Sequence, residues 1–138
     1  MTSWSDIDVN GIKYYSGTAS YSREINISEE SLSKGTEVFV AFEDIQELAR
    51  ITVNGMDCGI IWAPPYRANI SKALHPGSNE FVVEVTNTWN NRIIGDIINP
   101  GMKPYTNTNI KNKFKASSPL LPSGLMGSAE LLFLRNPE

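Results

Sequence analysis

One short segment gathers the side-chain types that proteins use to hold a sugar. It starts at Trp89, continues through Asn91 and Arg92, and ends at Asp96. An indole offers an apolar face to a sugar ring, while amide, guanidinium and carboxylate groups can exchange hydrogen bonds with neighbouring hydroxyls. The segment directly follows an apolar, alternating run, so we expect it at the end of a strand. These residues are therefore candidates for a carbohydrate-binding site.

The same residues also allow a structural interpretation, in which no sugar is bound. Trp89 could lie in the core, and Arg92 could pair with Asp96 to close a loop. The two interpretations predict different solvent exposure of the Trp89 side chain. A solvent-facing indole beside a cleft favours binding, whereas a buried indole favours a scaffold.

A second aromatic cluster runs from Trp62 to Tyr66 around two consecutive prolines. Pro64 and Pro65 restrict the backbone to an extended bend and cannot donate hydrogen bonds to a sheet. The bend would hold Trp62 and Tyr66 at one end of a β-sandwich. Such a cluster more often seals the end by packing than stacks on sugar, so we expect packing here and keep both aromatics as weaker binding candidates.

Hydrolysis of a glycosidic bond would need more than binding, because two carboxyl groups must face each other across the sugar. The chain has 15 acidic residues. Adjacent acids in polar segments are usually solvated, and none of the possible pairs lies on neighbouring apolar strands. We therefore expect no catalytic pair and no enzymatic activity in this chain on its own. The pairs considered are Glu43 with Asp44, Glu29 with Glu30, and Asp57 with Asp96.

The composition of the chain argues against several other classes of function. The 138 residues carry a net charge of −3, which argues against binding to nucleic acid or to anionic membranes. No apolar run is long enough for a membrane helix, and none resembles a signal peptide. A single histidine, His75, and a single cysteine, Cys58, leave no metal-ligand spacing. We expect no cofactor, although calcium held by loop carbonyls would leave no trace in the sequence.

Strand signals dominate the chain, which predicts one all-β domain over residues 1–138 with a jelly-roll β-sandwich fold. A single helical turn is predicted at Ser71 to Leu74, and Asn54-Gly55 predicts a tight hairpin. The stretch from Asn90 to Gly127, rich in proline and glycine, is predicted to be a long loop. The predicted strands are Gly17–Ile27, Thr36–Phe42, Ala49–Val53, Cys58–Trp62, Asn79–Asn87 and Ala129–Leu134.

Within that loop, Thr106 to Asn109 is polar and is followed by three lysines up to Lys115. A stretch of this kind is usually solvated or disordered, which is the interpretation we favour. The alternative is a surface that becomes ordered against a partner.

Four segments taken in order resemble a known family. They are Gly11 to Tyr21, Val53 to Gly55 with Gly59 to Tyr66, Val85 to Asp96, and Ser118 to Gly127. Together they resemble the galactose-binding-like β-sandwich of glycoside hydrolase family 2. They are most similar to the version at the C-terminal end of rhamnosidase-type enzymes of family 106 from gut bacteria.

This resemblance implies an accessory domain of a much larger, secreted or periplasmic enzyme that degrades complex polysaccharide. The catalytic carboxylates of such an enzyme lie on a separate barrel domain, and this chain is too short to contain a barrel. The expected partners are carbohydrate and the catalytic domain of the same parent chain. The competing expectation is a structural module that packs on the catalytic domain without contacting sugar.

Overall fold

The computed structural model describes residues 1–109 and 113–135, and within them the chain forms two antiparallel sheets packed face to face. One sheet has the strand order β1-β6-β3-β4 and the other β5-β2-β7. The strands are β1 (Thr18–Ile27), β2 (Thr36–Gln46), β3 (Leu48–Val53), β4 (Met56–Ile61), β5 (Arg67–Asn69), β6 (Gly77–Thr86) and β7 (Gly124–Arg135). The helices are α1 (Asn10–Lys13) and α2 (Asn90–Ile98), with single 3-10 turns at Trp4–Asp6, Glu30–Leu32 and Ser71–Ala73.

The core lies between the sheets and follows from strict alternation along the strands. In β3, Ala49, Ile51 and Val53 are fully buried, because side chains two residues apart point to the same face. The register pairs Ile51 with Val83 of β6, so that apolar side chains of neighbouring strands stand side by side. The predicted all-β sandwich is confirmed.

Several local predictions are also confirmed. Asn54 and Gly55 join β3 to β4 with φ values of 51° and 77°, the left-handed backbone that a two-residue hairpin requires. Strand β2 carries apolar residues on both faces, which is typical of a central strand, and it lies between β5 and β7. The turn predicted near Ser71 is a 3-10 turn.

The prediction of a long loop from Asn90 to Gly127 is wrong at both ends of that segment. It begins with helix α2, and the final strand starts at Gly124 rather than at Ala129. Gly124 has a φ of 95°, and a Cβ there would lie 2.5 Å from the Trp4 indole nitrogen. A glycine read as a loop residue thus lets the strand pass close to a buried tryptophan.

Candidate functional site

One end of the sandwich collects most of the residues that the sequence singles out. At this end β6 finishes at Thr86, opposite the first residue of β1, and β7 begins at Gly124, opposite the last residue of β2. The α2 helix follows β6 after a three-residue turn that contains Trp89. Loops that leave neighbouring strands at one end can supply side chains to a common site.

A buried polar network fixes these loops to one another. The amide of Asn87 accepts a hydrogen bond from the Gly17 backbone and donates to the Tyr15 carbonyl oxygen at 2.8 Å. It also donates to the Ser123 hydroxyl, and the Ser123 backbone N–H donates to the Ser3 hydroxyl. The network ties the N-terminal segment, the start of β1 and the lead-in to β7 to the end of β6.

Asn91, which the sequence suggested as a sugar contact, belongs to this network. It is only 2% exposed. Its amide donates to the Leu121 carbonyl oxygen and accepts from the Leu121 backbone N–H, both at 2.8 Å, so it clamps helix α2 to the segment before β7. Side-chain groups used in this way inside the protein are not available to a sugar.

Arg92 and Asp96 are one turn apart on α2 and form an ion pair, as the structural interpretation predicted. The Arg92 Nε donates to the Asp96 Oδ1 at 3.1 Å. The other carboxylate oxygen accepts from the Thr106 backbone N–H at 2.8 Å and from the Thr106 hydroxyl at 2.7 Å. Asp96 therefore anchors the segment around Thr106 to the helix instead of facing solvent.

The environment of Asp96 changes its acidity. Burial acts to raise the pKa of this carboxyl group. The hydrogen bonds from Thr106, a backbone hydrogen bond from Tyr105 and the charge of Arg92 outweigh burial, and the pKa lies below its ordinary value. Asp96 is thus held as an anion, suited to positioning a loop and unsuited to donating a proton at neutral pH.

Arg92 is also held by aromatic rings. Its guanidinium carbon lies 4.8 Å from the ring centre of Tyr105 and 5.9 Å from that of Tyr14. Cation–π contacts of this kind orient a guanidinium group without using its N–H donors. Gly95 allows the packing, because a Cβ there would lie 2.7 Å from Tyr14.

Around Arg92 these elements leave an open cleft of about 500 Å³. Trp89 lies at the cleft and is 67% exposed, and Tyr105 is 76% exposed. The cleft thus offers aromatic surfaces beside a guanidinium group, a hydroxyl and an amide. It is lined by Gly11, Tyr15, Ser16, Trp89, Arg92, Tyr105, Thr106 and Asn107.

Five of the lining side chains were not predicted as site residues, namely those of Tyr15, Ser16, Tyr105, Thr106 and Asn107. Thr106 and Asn107 were expected in a solvated loop. The sequence places Tyr105 some thirteen residues beyond the Arg92 whose guanidinium it covers, and nothing in that spacing predicts the contact. The local feature that could have indicated a site here is Tyr105 itself, an aromatic residue directly before the alternating threonines and asparagines of residues 106–109.

The second aromatic cluster lies at the same end of the sandwich, and its two members differ. Trp62 is 74% exposed, so the prediction that it seals the end by packing is wrong. Tyr66 packs partly against the core, as predicted. Partial burial and the charge of Asp44, assisted by Glu47, raise the pKa of the Tyr66 phenol.

Asp57 and Asp96, one of the acidic pairs considered for catalysis, do not lie near each other. Asp57 binds Arg50 at 2.6 Å near the β3–β4 hairpin, whereas Asp96 is on the helix at the opposite end of that sheet. These two cannot face each other across one sugar. Among residues 1–109 and 113–135, no group of three metal-binding side chains and no helix able to span a membrane is present.

A second groove lies where β1 and β7 leave the sandwich open. Its volume is about 240 Å³, and its walls are mainly core side chains such as Phe42 and Phe81. A sugar needs hydrogen-bond partners for its hydroxyls as well as an apolar surface. The cleft beside Trp89 offers both, so we take it as the candidate site.

Comparison with known proteins identifies the class of molecule in which this sandwich occurs. No family model matches the chain. A curated protein of Formosa agariphila with the name "Putative beta-glucuronidase" is 35% identical over 96 residues, which are 70% of this chain and 8% of that protein. The solved structure of a rhamnosidase from Novosphingobium sp. PP1Y matches 96% of this chain with a TM-score of 0.88 and 35% identity, and the match covers 12% of the rhamnosidase.

More distant structures share the fold. A β-glucuronidase of Ruminococcus gnavus matches 62% of this chain and 15% of its own at a TM-score of 0.54 and 23% identity. The chain is therefore similar to a domain-sized segment of glycoside hydrolases and spans only a small share of the relatives it matches. This agrees with the resemblance to a glycoside hydrolase accessory domain.

Proposed function

We propose that this chain is a non-catalytic, carbohydrate-binding accessory domain of a larger glycoside hydrolase that degrades complex polysaccharide. In this proposal it is the galactose-binding-like domain of a family 2 or family 106 type enzyme. Catalysis belongs to another domain of the parent, which is the partner of this one. Because polysaccharide is met outside the cytoplasm, the parent acts in the periplasm or after secretion.

The observation that supports binding most directly is the exposure of Trp89 beside a cleft that also holds Arg92. A flat apolar ring loses unfavourable water contact when a sugar covers it. The ring contacts of Arg92 and its pairing with Asp96 keep its guanidinium group oriented, so little side-chain freedom is lost on binding. In this site Trp89 is the platform, Arg92 and Asn107 bind hydroxyls, and Asp96 positions the wall around Thr106.

A specific observation also favours the structural module. Beyond the cleft, Ile97 and Ile98 at the end of α2 are each 40% exposed, and Met102 is 65% exposed. Apolar side chains grouped on a surface are typical of a contact with another domain. In that alternative, the catalytic domain covers this surface and no sugar is bound.

Calorimetric titration separates the two functions. The chain is titrated with rhamnose, galactose and neutral oligosaccharides of plant cell walls, and the same series is repeated with Trp89→Ala and Trp89→Phe. We expect Trp89→Ala to weaken binding at least about tenfold, since the platform is lost, and Trp89→Phe to retain part of the affinity.

Met56→Ala is the matched control. Met56 is 48% exposed and begins β4 at the opposite end of the sheet, so this change should leave the affinity unaltered. Absence of heat with every sugar at millimolar concentration, from a protein with an intact unfolding transition, would leave only the structural alternative.

A further inference from the structure

The two exposed tryptophans of this end are connected by one row of residues. In the four-stranded sheet, Thr86 at the end of β6 lies opposite Leu48, the first residue of β3. The register between β3 and β4 continues the row to Trp62, the residue directly after β4. Trp89 comes three residues after Thr86. Both aromatic platforms therefore belong to one continuous edge of the molecule.

The length of this edge exceeds one sugar ring. Neighbouring strands are about 4.8 Å apart, so the backbone at Trp62 lies about 10 Å from that at Thr86. Trp89 lies beyond Thr86, on the side of the cleft. A monosaccharide bound in the cleft would leave Trp62 uncovered, whereas a chain of several sugars could contact both indoles.

Trp62 is open to solvent. Ile61, the last residue of β4, is buried in the core, whereas Trp62 directly after it is 74% exposed. The residues between the platforms are compatible with a sugar chain. Leu48 is half-buried, and the hydroxyls of Thr18 and Thr86 are 2.7 Å apart on the same row.

Polar groups also lie on the loop that follows Trp62 and on the part of β2 to which that loop is bound. The loop after Trp62 is fixed to β2 by a hydrogen bond from the Phe42 backbone N–H to the Tyr66 carbonyl oxygen at 2.8 Å. The Asp44 carboxylate, close to the Tyr66 phenol, accepts a hydrogen bond from the Gln46 amide at 2.6 Å. Carboxylate, amide and phenol groups are suitable partners for sugar hydroxyls.

We infer that the binding surface extends from the Trp89 cleft to a second subsite formed by Trp62, Tyr66 and Asp44, and that its ligand is a neutral oligosaccharide spanning both. The inference rests on the proposed sugar binding at Trp89 and adds the length and charge of the ligand. The ligand is neutral at the second subsite because Asp44 and the adjacent Glu47 would repel an acidic sugar. Both platforms bind the same ligand, so once one end of the sugar chain is bound at Trp89, the effective concentration of its other end at Trp62 is raised.

The test is the dependence of affinity on ligand length. Monosaccharide, disaccharide and tetrasaccharide of one neutral sugar, taken from galactan, arabinan, xylan and mannan, are titrated into the wild type, Trp62→Ala and Trp89→Ala. We expect the tetrasaccharide to bind the wild type at least about tenfold more tightly than the monosaccharide. Trp62→Ala should remove this gain and leave the monosaccharide affinity unchanged, while Trp89→Ala should weaken both.

Each other outcome overturns a defined part of the account. Equal affinity for all lengths, with no effect of Trp62→Ala on any of them, overturns the second subsite and leaves sugar binding at Trp89 intact. No binding of any sugar to the wild type overturns the proposed function as well. Trp62→Phe, with Met56→Ala as the control, shows whether a lost gain is caused by the missing ring, because both variants keep the strand.

Discussion

At the scale of single residues, Asp96 shows how one side chain can shape a cleft without lining it. One of its oxygens pairs with Arg92 and the other accepts two hydrogen bonds from Thr106. The carboxylate thereby connects the helix that supplies Arg92 to the loop that supplies Asn107. A sequence pattern with Arg and Asp four positions apart is equally typical of a helical ion pair and of a binding pair.

The lowered pKa of Asp96 predicts a pH-dependent contribution to stability. Because the pKa is lower in the folded than in the unfolded chain, the contribution is complete above the unfolded value of about 3.9 and is lost as the pH falls below it. We expect the wild type to be more stable than Asp96→Asn at pH 6, and this advantage to shrink below about pH 4. Urea unfolding of both proteins across this range measures the effect.

Asp8→Asn is the matched control for this series, since the Asp8 side chain is 98% exposed and its loss should change stability little. A difference between wild type and Asp96→Asn that stays constant from pH 6 to about 3 would contradict the stabilising role of the ionised carboxylate.

Residue types alone placed Trp89 and Arg92 in one candidate site but did not predict which neighbouring side chains are exposed. Trp89 and Arg92 were identified from their kinds and order, and both line the cleft. Asn91 has the same polar character, yet its amide is buried and fully engaged. One step along a helix turns a side chain by about 100°, so neighbours can face the core and the solvent respectively.

At the scale of elements, helix α2 determines the site and is also the element that sequence reasoning missed. It has four isoleucines and a glycine in nine residues, which give weak helix propensity. Its stability comes from tertiary contacts, with Ile93 and Ile94 buried and Gly95 packed against Tyr14. Those contacts join segments far apart in the chain and leave no local pattern.

The Asn91 clamp gives a direct test of how α2 is held. In Asn91→Ala, the Leu121 backbone N–H loses its acceptor, and the Leu121 carbonyl oxygen keeps only the longer hydrogen bond from the Ser123 hydroxyl, so we expect the free energy of unfolding to fall by about 2 kcal/mol. Chemical denaturation measures the change, with Asn107→Ala at the exposed wall as the control. An Asn91→Ala protein as stable as the control would show that the Asn91 clamp is not needed to hold the helix.

The strands, in contrast, were predictable as elements because each carries its own alternation of apolar and polar residues. The residues at which the strands begin and end were less predictable. Strand β7 starts at Gly124, five residues before its predicted start, because its first part is paired with β2 beyond a register shift between Phe42 and Asp44. Such a shift interrupts the regular alternation that marks a strand in the sequence.

At the scale of the whole molecule, the two sheets bring distant segments of the chain to one end. Segments near residues 15, 45, 62, 89 and 105 all contribute to this end, although the sequence gives no sign of their proximity. The fold thereby concentrates exposed aromatic and polar groups along one edge. Such an arrangement suits a domain that contacts an extended carbohydrate beside a catalytic partner.

The most direct measurement is an NMR titration of the isotope-labelled chain with neutral oligosaccharides, monitored at the three tryptophan indole N–H groups. Trp4 is buried and donates to the Tyr21 hydroxyl, so it serves as an internal control within the same spectrum. We expect saturable shifts of the Trp89 signal with short sugars, additional shifts of the Trp62 signal with longer ones, and a constant Trp4 signal. Unchanged Trp89 and Trp62 signals at millimolar sugar would contradict carbohydrate binding by this domain.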